Sequence, residues 1–220
     1  MIVGMASVAI CEKLSPGIYA DEIREWLSQA GTSTDGLGLI PHSCDCETGQ
    51  PLEAARGSSQ SLILHFLLAI DSAYAQKAFQ TYKGNFLTYR LGLPGIREYP
   101  KGTQGNGDID SGPVIWGIGG AASIVGRRVM AEFGEPAVSI GLRNSLEAFG
   151  LAICSRGKKY YLFGAFPMAD AFLAWNNSTE AMEIHRLKTQ KMWWGQTQTI
   201  LLLLLASGAF AAFRLFFRKN

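Results

Sequence analysis

Charge is what this chain has least of. Asp, Glu, Lys and Arg make up 17% of its 220 residues, and the formal net charge is only +2; roughly a quarter is usual for a soluble chain. No basic stripe with interleaved aromatics is present, which excludes the electrostatic footprint of a nucleic-acid binder. Cysteine is scarce as well: Cys11, Cys44, Cys46 and Cys154. Cys44 and Cys46 stand too close for an easy internal bridge and lack a second pair at zinc spacing. All four read as free thiols, with a metal-bound or catalytic thiol as the alternative, and they leave the redox compartment open. Residues 1–11 are not expected to act as a secretory leader. They carry no basic residue and run into Glu12 and Lys13 instead of a small-residue cleavage site, so they are expected to form a core helix. Residue-identity repeats are absent, and the only low-complexity stretch is a leucine run near the carboxyl end.

That run is the most distinctive stretch present. Ile200 to Leu205 and the uncharged residues up to Phe213 continue to Phe217 past a single Arg214. With Trp193 and Trp194 as interfacial anchors, the segment approaches the ~20 residues that cross a bilayer, and Arg214 can snorkel to the headgroups. The expectation is a helical domain over 1–191 and a transmembrane helix over 192–218, with the lipid bilayer as a partner; the alternative is a buried helix in a soluble core. Basic residues on the two sides balance (Arg186, Lys188 and Lys191 against Arg214, Arg218 and Lys219), so orientation stays open.

Helical periodicity dominates the rest. Over 16–30, Tyr19, Ile23, Trp26, Leu27 and Ala30 fall on one face, with Asp21, Glu22, Arg24 and Glu25 opposite. Residues 61–70 are apolar nearly all round. Asp71 is placed to cap an amphipathic helix over 72–89. A long glycine- and proline-rich loop follows over 91–107. Ser111 and Pro113 read as the start of a buried helix reaching 133, and Pro136 as the start of another reaching 154. Residues 160–166 look extended, 168–175 helical, and 176–179 a break. Amphipathic helices thus alternate with all-apolar ones. The three apolar helices should run parallel, with their amino-terminal ends on one face: an all-α, two-layer arrangement of helical hairpins.

That face would collect the polar loops. His42, Arg56, Ser59 and Gln60 precede the first inner helix; Arg97, Glu98, Tyr99, Asp108 and Asp110 precede the second. Asp108 and Asp110, with His42 and Glu98, are the acid/base candidates, since two carboxyls with one held protonated suffice to cleave a glycosidic bond. Arg56, Ser59, Gln60, Arg97 and Tyr99 are the substrate-binding candidates, the arginines through their fork of donors. The competing expectation is structural: Asp108 and Asp110 cap and turn the chain, and Arg56 pairs with one of them to tie two loops together. The D-x-D pair also suits a hard cation, but no metal set is assigned. The glycines of 117–120 lack the preceding strand of a phosphate loop, and no cofactor is identified.

The segments Gly-Leu-Ile-Pro-His (38–42), Ala-Arg-Gly-Ser-Ser-Gln (55–60), Leu-Gly-Leu-Pro-Gly-Ile-Arg-Glu-Tyr-Pro (91–100) and Gly-Asp-Ile-Asp-Ser-Gly-Pro (107–113) resemble a group of bacterial membrane-associated proteins. Their helical domain is similar to the (α/α) toroids of six-hairpin glycosidases and of linalool dehydratase-isomerase. The resemblance covers 15–175 and implies a site at the inner-helix ends, with no established reaction. A complete toroid needs more helices than this chain supplies: the ring is half-built, is closed by another chain, or continues in an amino-terminal part. A cysteine acting as in the dehydratase would be Cys44, Cys46 or Cys154. Two functions are expected from different classes. One is a membrane-anchored envelope hydrolase or lyase acting on a glycan-like, hydroxyl-rich substrate. The other is a non-enzymatic subunit of a membrane complex, its partial ring completed by a partner or a second copy.

Overall fold

Two helices open the chain, and a carboxylate shapes the corner between them. α1 spans Ile2–Leu14 and α2 spans Ala20–Thr32. Glu12 accepts hydrogen bonds from the backbone N–H groups of Gly17, Ile18 and Tyr19 at 2.6, 3.0 and 2.7 Å. With Gly17 at φ +93°, that wrap makes a turn of residues 15–19, so α2 begins at Ala20 and not at residue 16. The structure is a computed structural model describing residues 2–108, 111–112, 114–180, 200, 202–210 and 214.

A short hairpin pairs β1 (Ser43–Cys44) with β2 (Pro51–Glu53). α3 (Gly57–Ile70) follows, then α4 (Ser72–Phe86), whose first turn is capped by Asp71 accepting from the Tyr74 N–H at 2.8 Å. α4 stops at Phe86, short of residue 89. Leu87–Arg90 (β3) instead pairs antiparallel with Leu93–Ile96 (β4) around Leu91-Gly92. The expected inner helix over 113–133 is corrected in the same way. Val114–Ile115 (β5) and Ile118–Gly119 (β6) form a hairpin around Trp116-Gly117, and α5 runs only over Gly120–Glu132. α6 spans Pro136–Phe149, not reaching 154, because Ile153–Ser155 (β7) pairs with Lys158–Tyr160 (β8) around Arg156-Gly157. A 3-10 turn over Leu162–Gly164 leads to α7, Pro167–Glu180. Residues 176–179 do not break α7: Asn176 is buried, and the Ser178 hydroxyl bonds back to the Trp175 carbonyl at 2.7 Å.

The described chain is therefore mainly helical, as expected, with four two-stranded hairpins set between the helices. Three of those hairpins turn on one device. Leu91, Trp116 and Arg156 have φ of 52°, 52° and 51°, each followed by a glycine at 78°, 80° and 75°. Two successive left-handed residues are what the twist of a two-residue hairpin demands.

Two compact units divide the chain within α6, residues 1–142 and 143–220. In the first, α3 packs against α1, α4 and α5. Its core holds Leu64, Phe79, Tyr82, Phe86, Ile96, Val129 and Met130, all fully buried. α3 and α5 run parallel. Gly57 approaches Ala122, Ser61 approaches Gly126, and the His65 Nδ1 lies 2.9 Å from Glu132, so positions on the two helices advance together. Their amino-terminal ends consequently share one end of this unit, as the sequence leads one to expect. The third expected inner helix, α7, belongs to the second unit. There Glu147 receives the Tyr161 hydroxyl at 2.5 Å and the Lys159 ammonium, and Asp170 accepts from the Tyr161 N–H at 2.9 Å.

No helix among the described residues is long and apolar enough to cross a membrane. Residues 202–210 are helical and exposed. Most of the expected span over 192–218, and the boundary at 191, lie outside the described residues.

Candidate functional site

The site is assembled where the segment that follows β4 passes the amino-terminal end of α3. Residues 97–99 continue β4 in extended form: Arg97 bridges Ile118, its N–H donates to the Phe86 carbonyl, and the Glu98 N–H donates to the Gly117 carbonyl at 3.1 Å. Side chains alternate along an extended chain. Arg97 and Tyr99 accordingly line a cleft, whereas Glu98 turns inward and is 0% exposed.

Glu98 sits between two helix starts. Its carbonyl accepts the Gly57 N–H at 2.8 Å, and its Oε1 accepts the Ser58 hydroxyl at 2.7 Å. Its Oε2 has no hydrogen-bond partner among the described residues. That oxygen lies against Gly119, the residue capping α5, where an added Cβ would come within 2.7 Å of it. Burial pushes the Glu98 carboxyl above its usual range, against the opposing pull of the Ser58 hydroxyl and of Arg56. A buried carboxylate is costly without full pairing, and protonation relieves the cost.

Arg56 is the hub of the exposed half. Its extended backbone puts it in the capping position of α3, and its side chain is 13% exposed. Nη1 donates to Asp108 Oδ2, and Nη2 donates to Glu53 Oε1 at 2.8 Å. The guanidinium lies 5.5 Å from the centre of the Tyr99 ring, a cation–π distance. Glu53 extends the chain of charges to His42, whose Nε2 is 3.5 Å from Glu53 Oε2. Burial works against the Arg56 charge, but its bond to Asp108 and the neighbouring Tyr99 and Glu53 outweigh that and hold its pKa above the ordinary value.

Asp108 is tied on its other side. Its Oδ1 accepts the Ser111 N–H and the Ser111 hydroxyl, both at 2.8 Å. Those two bonds, and then Arg56, hold the Asp108 carboxyl far below the usual carboxylate range. It stays ionised at any ordinary pH. The expected pairing of Arg56 with one of the two aspartates is thus seen, together with the turn that Asp108 fixes. Asp110 lies outside the described residues.

Ser59 bonds back to the Arg56 carbonyl at 3.1 Å, within the first turn of α3. Gln60 is buried and donates to the Ile40 carbonyl, which pins the segment leading to His42. Of the residues expected at the site, His42, Arg56, Tyr99 and Asp108 form one connected group. Glu98 lies beneath it, Arg97 opens onto the cleft, and Ser59 and Gln60 support the loop. The four cysteines are free and exposed, and no group of three or more His, Cys, Asp or Glu suited to a metal ion occurs among the described residues.

Sequence reasoning missed Glu53, Ser58, Arg90 and Trp116. Glu53 stands three residues before Arg56, and its pairing with that arginine is an i,i+3 contact. Trp116 looked like one more apolar residue of a buried helix. The glycine after it was the available signal for a turn.

The cleft itself measures about 610 Å³. Arg90, Leu91, Arg97, Tyr99, Trp116 and Gly117 contribute to its lining. The chain matches no known protein family, no curated protein and no solved structure.

Proposed function

We propose that the chain is a hydrolase or lyase acting on a glycan-like, hydroxyl-rich substrate by carboxylate acid/base chemistry. Its hairpin-built domain forms a partial toroid, held at a membrane by the apolar run over 192–218. One observation carries the reading: Glu98 and Asp108 are pushed in opposite directions around a single arginine. Paired carboxyls with separated proton affinities are how one site supplies an acid and a base at the same pH. Glu98 is the protonated member and donates to the leaving oxygen. Asp108 is the ionised member, serving as the base or stabilising positive charge on the sugar ring. Arg56 positions Asp108, while Glu53 and His42 continue the chain of charges toward solvent. Because the free oxygen of Glu98 abuts Gly119, the β5–β6 hairpin is the element that must shift for substrate to reach it.

The test is turnover on a panel of envelope polysaccharides, read as new reducing ends for a hydrolase or as ultraviolet absorbance of an unsaturated sugar for a lyase. Glu98→Gln should abolish product without lowering the melting temperature. A variant that keeps full turnover removes Glu98 from the chemistry.

A second reading, a non-enzymatic subunit of a membrane complex, draws on α1. Val3, Ile10 and Leu14 are exposed along one helical stripe, while Glu12 and Lys13 are tied back, Lys13 donating to the Ala69 carbonyl at 2.8 Å. Stable co-purification with another membrane protein, lost on Ile10→Glu, would favour it.

A further inference from the structure

The cleft beside Arg97 has a chemistry of its own. Arg90 and Arg97 both line it, and none of the described residues that line it is acidic. Arg90 has one weak acceptor, the neighbouring Tyr89 carbonyl at 3.4 Å, and neither arginine is in an ion pair among the described residues.

Arg97 is held in place for a purpose its own contacts do not use up. Nε donates to the Tyr99 carbonyl and Nη2 to the Thr103 carbonyl, both at 2.9 Å. The third nitrogen, Nη1, lies over Gly117, where a Cβ would sit 2.7 Å from it. It has no acceptor among the described residues. A guanidinium bonded only to neutral carbonyls has no counter-charge beside it, and its remaining N–H groups are left for a ligand.

An aromatic side chain lines the same cleft. Trp116 is 62% exposed, although an indole is normally buried for most of its area. The left-handed turn Trp116-Gly117 holds it out from the β5–β6 hairpin. A non-glycine residue with positive φ is strained and persists only where its surroundings enforce it.

The geometry points to a binding site for an anionic sugar unit, in which a carboxylate or phosphate is held by Arg97 and Arg90 and the flat face of the ring lies on Trp116. Arginine forks match both oxyanions. The indole supplies an apolar platform that an isolated inorganic anion cannot use. The sugar half of this assignment rests on the glycan reading above, whereas the anion half stands on the two arginines alone. Glu98 faces away from the cleft, so binding there does not require its chemistry.

Titration calorimetry on the full chain in detergent tests the site with four probes: glucuronate, glucose 6-phosphate, glucose and inorganic phosphate. The two charged sugars should bind, and glucose should bind roughly tenfold more weakly or worse, the factor expected for losing a charge-assisted hydrogen bond. Arg90→Ala and Arg97→Lys should each weaken the charged sugars by a similar factor, and Trp116→Ala should weaken them without affecting phosphate. Glu98→Gln should bind as the unaltered chain does. Binding of the charged sugars by the unaltered chain, with no turnover of any polysaccharide by that same chain, sinks the acid/base reading and leaves this site standing. No binding of either charged sugar, or binding unchanged in both arginine variants, overturns the site. Phosphate binding as tightly as glucose 6-phosphate overturns its sugar half.

Discussion

The Ser58 hydroxyl donates to Glu98 Oε1 at 2.7 Å, joining the first turn of α3 to the strand extension that follows β4. It satisfies one oxygen of a fully buried carboxyl whose other oxygen has no partner among the described residues. Half-satisfied burial of this kind stabilises the neutral acid relative to the anion.

A pH dependence follows. The folded-state pKa of Glu98 is raised above its ordinary value of 4.5, with burial as the main cause. The folded chain then binds the proton more tightly than the unfolded one, so stability is fully present below the ordinary value and is lost as pH rises through the folded one. Urea unfolding followed as pH rises from the ordinary glutamate value should show this decline, and Glu98→Gln should flatten it. A slope that persists in the variant assigns the effect to another group.

Asp108 behaves oppositely. Its folded-state pKa is lowered, first by the Ser111 N–H and hydroxyl and then by Arg56. Its contribution is present above the ordinary aspartate range and fades as pH falls. Asp108→Asn keeps an acceptor for Ser111 but loses the ion pair. Since the Asp108 side chain is 45% exposed, the loss should be under about 1 kcal/mol. Asp108→Ala should cost about 1 kcal/mol more, because the turn bonds go too. Denaturation midpoints at neutral pH separate the two, and the Asn variant should converge on the parent chain in acid.

Gly57 has no room for a side chain. A Cβ there would overlap the Arg97 carbonyl and sit 3.2 Å from the Ala122 Cβ. A backbone carbonyl cannot swing aside as a long side chain can, so Gly57→Ala should destabilise by about 3 kcal/mol or more. Guanidinium unfolding measures this, and a near-neutral result would show that α3 and the Arg97 strand can separate cheaply.

Ser61 and Tyr82 predict an asymmetry. The Ser61 hydroxyl donates to the Gly57 carbonyl at 2.7 Å, which makes Tyr82 the donor in the 2.7 Å contact between the two hydroxyls. Tyr82→Phe leaves Ser61 bonded and should cost about 1 kcal/mol. Ser61→Ala strands a fully buried phenol and should cost about 1–3 kcal/mol. Equal costs would mean that the phenol finds another acceptor.

Much of this molecule could be read from spacing along the chain. The all-α character, the Asp71 cap, the stripe of α4 and the parallel run of α3 and α5 come from periodicity and local capping, which act over a few residues and leave their mark in sequence. The loops around His42, Arg56, Tyr99 and Asp108 were likewise legible as a group, because helix amino-terminal ends placed side by side must gather what precedes them.

Three hairpins were not legible. A turn with two left-handed residues usually announces itself as Asn-Gly or Asp-Gly. Here Leu91, Trp116 and Arg156 take the first place, a position they adopt only because strand pairing on either side enforces it. The stretch before α5 was apolar enough for a helix or a strand, and short apolar runs do not distinguish the two.

The opposite fates of Glu98 and Asp108 were equally out of reach. Both are carboxylates in a polar loop. One is driven inward by the alternation of an extended segment onto Ser58 and Gly119; the other is left outward against Arg56 and Ser111. Proton affinity depends on what surrounds a group in three dimensions, and partners 40 and 52 residues away in the chain (Ser58 for Glu98, Arg56 for Asp108) are supplied only when the helices pack.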